Sequence, residues 1–272
     1  MGKPRILVIY YSTYGHVQTI AQAELRGLQK SGKVDAELYQ FAETLPTDVL
    51  DKMHAAPRDT AVPEITPEIL AAADGYLIGF PTRFGVAPAQ VKAFFDSTGQ
   101  LWQTGALLGK PMGMFFSTAS QHGGQESTAF SFLPHLVHHG LIYVSLGTPS
   151  PYMFDIDAVV GGSPWGAGVI AGADGSLLPT HKEIEIAEIQ GALFADVVVK
   201  LTASNPTPPA AAAAAVDKAP VPVASAAAPP APDASTSKPA EASSAGTPKS
   251  GSPSKSGGRV RQLLDKFKSM FG

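Results

Sequence analysis

Four unbroken apolar runs punctuate the chain: RILVIYY (5–11), GYLIGF (75–80), PMGMFFS (111–117) and LIYVSLG (141–147). DAELYQF (35–41) is a weaker fifth. Continuous rather than alternating apolar character predicts strands buried on both faces, as in a parallel sheet. The segments between them follow a helical period. VQTIAQAELRGLQKSG (17–32) places Val17, Ile20, Ala21, Leu25 and Leu28 on one face, with Gly32 as a stop. PAQVKAFFDSTG (88–99) opens at Pro88 and stops at Gly99. STAFSFLPHLVHHG (127–140) is expected to be broken by Pro134, and EIEIAEIQGALFADVVVKL (183–201) closes the domain. Strands alternating with helices predict an α/β, doubly wound fold.

Five strands suit the flavodoxin-like order, which places its ligand at the carboxyl ends of the strands near the switch point. Two connections, 42–67 and 148–182, exceed the usual two to six residues, and long ordered loops carry contacts to ligands or partners.

The texture changes after residue 202. Residues 203–258 are rich in Pro, Ala and Ser and offer almost no large apolar side chains, so they read as a disordered linker. Residues 259–272, GRVRQLLDKFKSMFG in the run from Gly258, regain periodicity. Val260, Leu263, Leu264, Phe267, Met270 and Phe271 share one helical face, beside Arg259, Arg261, Lys266 and Lys268. Such a short basic amphipathic helix suits an anionic membrane surface or a protein groove.

Charge divides at the same boundary. Residues 1–202 carry 12 Lys+Arg against 19 Asp+Glu, and residues 203–272 carry 8 against 4. An acidic globular part argues against nucleic acid. With no cysteine, thiolate catalysis and disulfides are excluded, so redox work needs a bound cofactor. No apolar stretch reaches the roughly 18 residues of a spanning helix, and the N-terminus has no secretory h-region. The expected location is cytoplasmic, with peripheral contact at the cytoplasmic face of the plasma membrane through the tail.

The ends of three predicted strands carry the candidate chemistry. After the first come Ser12, Thr13, Tyr14, Gly15, His16 and Val17, running into a helix. Free backbone N–H groups, the helix dipole and two hydroxyls suit a phosphate there. The loop is neither G-x-x-x-x-G-K-[ST] nor G-x-G-x-x-G, so a triphosphate or a Rossmann-type dinucleotide grip is not indicated. Read alone, Ser12 as a helix cap competes with this assignment. After the third strand come Pro81, Thr82, Arg83, Phe84 and Gly85, an aromatic and a guanidinium suited to a flat, electron-accepting ring. After the fourth come Ser117, Thr118, Ala119, Ser120, Gln121, His122, Gly123 and Gly124, able to bond a ring edge or a polyol. No metal site is assigned: Asp155-Ile156-Asp157 reads as solvated loop charge, and His135, His138 and His139 lack tidy metal spacing.

These motifs together resemble the WrbA family of flavodoxin-like, FMN-dependent NAD(P)H:quinone oxidoreductases. The matching stretches are YYSTYGH (10–16), GFPTRFG (79–85), TGQLWQTGALLGKP (98–111), FSTASQHGGQE (116–126), HHGL (138–141), GGSPWGAGVIAGADGS (161–176) and EIAEIQG (185–191). They span residues 5–202 almost continuously, and fungal members with a tail are the most similar. The resemblance implies FMN held by the three loops, NADH or NADPH as electron donor, and a quinone reduced by two electrons in ping-pong fashion during oxidative-stress protection. It also implies that His138 is an active-site histidine and that Trp102 borders the substrate pocket with Phe84. A homotetramer is implied, its pocket completed by a neighbouring subunit. STASQHGG is one residue longer than the bacterial pattern and carries Ala119, Gln121 and His122 where small residues are usual. The alternative is a flavin-binding scaffold or regulator at the membrane face, with incidental turnover.

Overall fold

The structure is a computed structural model that describes residues 2–204. The proposed linker 203–258 and helix 259–272 fall outside the described residues, apart from the first two positions of the former, which end the last helix.

Four of the apolar runs form strands over most of their length, the run 141–147 forms one at two residues, and a sixth strand is added that the sequence did not announce. The strands are β1 (Arg5–Tyr10), β2 (Asp35–Gln40), β3 (Gly75–Pro81), β4 (Pro111–Thr118), β5 (Ile142–Tyr143) and β6 (Gly168–Ile170). The helices are α1 (His16–Ser31), α2 (Thr47–Lys52), α3 (Pro67–Ala71), α4 (Ala89–Asp96), α5 (Gly99–Thr104), α6 (Gln125–His139) and α7 (His181–Ser204). The strand order is β2-β1-β3-β4-β5, all parallel, with β6 also paired to β4. Every residue of β3 and β4 is buried, as their unbroken apolar sequence requires. One core layer packs Leu7, Ile9, Tyr76, Ile78 and Phe80 against α4 and α6; the other packs Ile6, Val8, Leu77 and Phe115 against α1 and α7. Within the second layer Glu24 is fully buried with both carboxyl oxygens unpartnered, and burial pushes its carboxyl well up, towards the neutral form.

Two expectations are corrected. Pro134 does not break its helix: α6 runs through it to His139. The ring removes one ladder bond, which belongs to the Phe130 carbonyl, but buried Ala129, Phe132 and Leu136 hold both halves of the helix against the sheet. The run 141–147 is a strand only at Ile142–Tyr143. The chain leaves the sheet after Val144 donates to Met112 O (2.8 Å), and the rest of the β4 edge is taken by Gly168–Ile170, opposite Phe116, Ser117 and Thr118. The fifth strand position is thus filled by two short pieces separated by a long excursion.

Three buried polar side chains satisfy the backbone that this split leaves unpaired. Gln190 of α7 donates to Met114 O (3.0 Å) and accepts from Ala167 N–H (2.7 Å), bridging β4 to the returning segment. Gln125, at the start of α6, accepts from Gly162 N–H (2.6 Å) and donates to Thr118 Oγ1 (3.2 Å). Glu183 accepts from Gly161 N–H (2.9 Å) and Ile170 N–H (3.0 Å), and its other oxygen takes Thr180 N–H (2.7 Å) in a reciprocal cap with the Thr180 hydroxyl. The returning chain lies so close to β4 that a Cβ at Gly166 would meet Met114 O at 1.9 Å.

The Gln190 bridge is open to test. Gln190→Leu keeps the volume but strands one buried donor and one buried acceptor, which cost about 1–3 kcal/mol each. Denaturant unfolding is expected to show a loss of about 2–6 kcal/mol; a loss under about 0.5 kcal/mol would show that the bridge contributes little.

Candidate functional site

β1, β3 and β4 lie side by side, so the loops after them open on the same edge of the sheet. Between them is a cavity of about 340 Å³. It is lined by Ser12, Thr13, Tyr14, His16 and Val17 from the first loop, Pro81, Thr82 and Arg83 from the second, and Ser117, Thr118 and Ala119 from the third. The excursion returning from β6 adds Ala171 to Gly175, a wall that the three-loop reading did not include. Its tie to the site is direct, since Ala171 N–H donates to Thr118 O (2.8 Å). The long connection 42–67 also reaches the first loop, where Ala56 N–H donates to Thr13 O (2.8 Å).

The first loop turns through Gly15, whose φ of 89° lies where a side chain is strained. Ser12 Oγ accepts from Gly15 N–H (3.0 Å), so part of the Ser12 hydroxyl is spent on shaping the turn. No side chain caps α1, and the first N–H groups of that helix remain available. His16 is buried, and its Nε2 has no hydrogen-bond partner. A buried polar atom without a partner in a cavity wall is what a bound anion would satisfy.

The second loop is a two-residue hairpin. Arg83 N–H and Val86 O pair at 2.9 Å, with the reverse bond at 3.1 Å. Both central residues, Phe84 (φ 54°) and Gly85 (φ 80°), have positive φ, the geometry of a type I′ turn. Glycine takes this freely; phenylalanine is strained there by about 1–2 kcal/mol. The strained ring is fully exposed, as strain retained at a functional site would be. Thr82 Oγ1 accepts from Gly85 N–H (3.1 Å) and Thr128 Oγ1 (2.7 Å), anchoring the turn to α6. Arg83 is fixed by Nη2 donating to Thr13 Oγ1 (2.8 Å) and Nη1 to Thr82 O (3.0 Å). The guanidinium therefore stands between the first and second loops.

The third loop contributes less than its eight residues suggested. Ser120, Gln121, His122, Gly123 and Gly124 do not line the cavity. They close on themselves: Gly123 N–H (2.9 Å) and the Thr118 hydroxyl (2.8 Å) both donate to Ser120 O. Gly15, Phe84 and Gly85 likewise shape or flank the cavity without lining it. Across the mouth, Ser176 holds the Asp174 carboxylate through its hydroxyl (2.8 Å) and N–H (3.1 Å), which keeps that carboxyl below the usual range.

Trp102 and His138 are elsewhere in the chain. They line a second groove of about 330 Å³ between α5 and α6, together with Phe95, His135 and His139. His139 Nε2 bonds Thr98 Oγ1 (2.9 Å), the residue before α5, and so ties the helix of Trp102 to the helix of His138. His135 stacks on Phe132 (4.7 Å between centroids). Burial pushes both His135 and His139 down, aided by Lys92 at the first and by His135 and His138 at the second. Among the described residues no group of three or more His, Cys, Asp or Glu could hold a metal ion. Asp155 is not free loop charge; it pairs with Lys182.

Neutral hydroxyls, free helix N–H groups, an orphaned imidazole nitrogen and one fixed guanidinium fit a phosphorylated flavin better than a polyphosphate with a divalent ion. Comparison with known proteins agrees. Residues 4–150 match the family described as NADPH-dependent FMN reductase. The chain is 50% identical over 200 residues to the minor allergen Alt a 7 of Alternaria alternata, covering 72% of this chain and 98% of that protein. It is 50% identical over 198 residues to the quinone-oxidoreductase QR2 of Triphysaria versicolor, covering 72% and 96%. The fold resembles the crystal structure of a flavodoxin, WrbA-like protein from Agrobacterium tumefaciens (TM-score 0.50, 24% identity, 73% of this chain and 99% of that one).

The strained turn yields a stability prediction. In Phe84→Gly, relief of about 1–2 kcal/mol of left-handed strain is set against about 0.5–1 kcal/mol of glycine entropy. The ligand-free variant is expected to unfold within about 1 kcal/mol of the parent. A loss of 2 kcal/mol or more on calorimetry would show that the ring packs within its own chain.

Proposed function

The chain belongs to the NADPH-dependent FMN reductase family, and on that premise we propose that it is an FMN-dependent NAD(P)H:quinone oxidoreductase. The observation that carries this reading is the meeting, in one cavity, of neutral donors from three strand tips with a single fixed guanidinium. Half-identity to a quinone oxidoreductase over nearly its whole length supports the substrate class.

FMN, when bound, would supply the redox chemistry, a two-electron link between NADH or NADPH and a quinone. The protein binds, orients and stabilises. Ser12 to Val17 hold the phosphate through the α1 N-terminus and the hydroxyls, with His16 Nε2 as a further polar contact. Pro81, Thr82 and Arg83 flank the ring, and Arg83 favours negative charge as it develops there. Ser117, Thr118 and Ala119 face them across the cavity, with Ala171 to Gly175 closing the remaining side. Ser120 to Gly124 keep a role in shaping the third loop.

Phe84 and Trp102 stack on planar substrates, and His138 orients the quinone oxygen or donates a proton to it. Trp102 and His138 line a different groove from the cofactor cavity. This supports a working site that draws on more than one copy of the chain, in a homotetramer. Exposed Phe84, Trp102, Phe130 and Val137 are apolar side chains that such an assembly would cover. Donor and acceptor use one site in turn, giving ping-pong kinetics, in a cytoplasmic protein serving oxidative-stress protection.

The test is anaerobic stopped-flow with FMN-loaded protein. NADH or NADPH is expected to bleach the flavin, and benzoquinone to restore it in one second-order phase. A flavin that bleaches with neither nicotinamide overturns the assignment.

A second reading rests on the basic amphipathic segment 259–271, outside the described residues. Its pattern supports peripheral contact with anionic membrane, and with it a scaffold or regulatory role in which turnover is incidental. Full-length protein is expected to pellet with anionic liposomes and Phe267→Glu to stay in solution; equal pelleting of the two counts against an inserted apolar face.

A further inference from the structure

Glu43 lies in the connection after β2 and does not line the cofactor cavity. Its carboxylate is nevertheless fully engaged. Oε2 accepts from the Tyr11 phenol (3.0 Å). Oε1 accepts from Gln90 Nε2 (2.8 Å) and from the N–H groups of Thr44 (2.8 Å) and Leu45 (3.0 Å). Both side-chain partners are buried. Tyr11 is the residue immediately before Ser12 and Thr13, and Gln90 is the second residue of α4, the helix that follows the Arg83 turn. One carboxylate therefore joins the root of the first loop to the root of the second.

The same two loops are joined a second time at the cavity wall, by Arg83 Nη2 on Thr13 Oγ1 (2.8 Å). That inner tie is within reach of a ligand and can be remade when one binds. The outer tie is not. The phenol and the carboxylate also respond to one another: burial pushes Tyr11 up, with the Thr13 hydroxyl and Arg83 acting downward and Glu43 upward. The four donors around Glu43 outweigh its burial and hold its carboxyl below the usual range.

We propose that Glu43 is a positioning residue for the cofactor site: it fixes the spacing of the two loops from behind and sets the field in which Arg83 meets the flavin. The inference rests on the FMN reading above. Glu43 bonds the Tyr11 phenol, two residues before the Thr13 that holds Arg83, and carboxylate and guanidinium act on that phenol with opposite sign; the carboxylate's charge therefore opposes the guanidinium's stabilisation of a reduced, negatively charged ring. Removing its charge while keeping its outline favours reduction; removing the side chain frees the loops and weakens the hold on the cofactor.

The experiment is FMN titration of the cofactor-stripped full-length protein by fluorescence quenching, with redox titration of each loaded variant and thermal unfolding of each stripped one. Glu43→Ala is expected to bind FMN at least tenfold more weakly. Tyr11→Phe, which removes one bond of the same tie and needs no repacking, is expected to weaken binding in the same direction. The double variant is expected to be no weaker than Glu43→Ala, because the two changes break one connection. Glu43→Gln is expected to keep binding within about threefold of wild type while its midpoint potential moves positive. Affinities of Glu43→Ala and Tyr11→Phe within twofold of wild type, or a Glu43→Gln potential that stays in place, overturn the proposal. Should Glu43→Ala fail to fold, Tyr11→Phe and Glu43→Gln decide it. A wild type that takes up no FMN overturns the cofactor reading itself, whereas a wild type that binds while every variant matches it overturns only the role of Glu43.

Discussion

Parallel hydrogen bonding of β3 to both β1 and β4 points three carboxyl ends in one direction, and the rest of the site depends on that alignment. The register sets Tyr10 opposite Gly79 and Pro81 opposite Ser117, so the chain leaves all three strands at nearly the same height. Cross-bonds between the departing segments follow directly: Tyr11 N–H to Gly79 O (3.0 Å) and Thr82 N–H to Ser117 O (2.9 Å). An antiparallel neighbour would have sent one of the loops to the opposite edge. Burial on both faces gives the pairing little freedom to slip, since a shift of one residue would turn a side chain from one packed layer into the other.

Around this rigid trio the rest of the cavity is made by segments with little regular structure. The fifth strand position is divided, and the chain between its halves would expose backbone groups inside the protein if Gln125, Glu183 and Gln190 did not meet them. Buried carboxamides and a carboxylate thus do the bonding that a continuous strand would have done. The consequence reaches the site. The excursion returns at β6 beside the end of β4, and residues 171–175 become the fourth wall.

Within one chain the candidate chemistry divides in two. The hydroxyls, His16 and Arg83 surround the cavity, while Trp102 and the histidines of α6 line a groove between two helices. The two aromatic side chains proposed above to meet a planar substrate, Phe84 and Trp102, are both exposed. Phe84 also sits at a positive φ that the hydrogen bonds of its turn hold in place while its ring makes no buried contact within the chain. Exposed large apolar groups, one of them on a strained backbone, are the features on which the proposed assembly rests.

The sequence by itself determined the class of fold and most of the lining of the candidate cavity. The continuous apolar runs of β1, β3 and β4 marked strands buried in the sheet, and the polar stretches after them were the natural candidates for a cavity's loops. Ser12, Thr13, Thr82, Arg83, Ser117 and Thr118 were legible for that reason. Other features were not, because they depend on distance rather than order. Gly168–Ile170 is too short to carry a strand period and became a strand only because the edge of β4 was open. Residues 171–175 and Glu43 gained their places from partners far along the chain, as did the separation of Trp102 and His138 from the cavity. Pro134 forbids one hydrogen bond locally, and packing of its neighbours on the sheet outweighed that. Local pattern sets what each segment can become; which segments meet is decided by the hydrogen bonds and packing that only the assembled tertiary structure supplies.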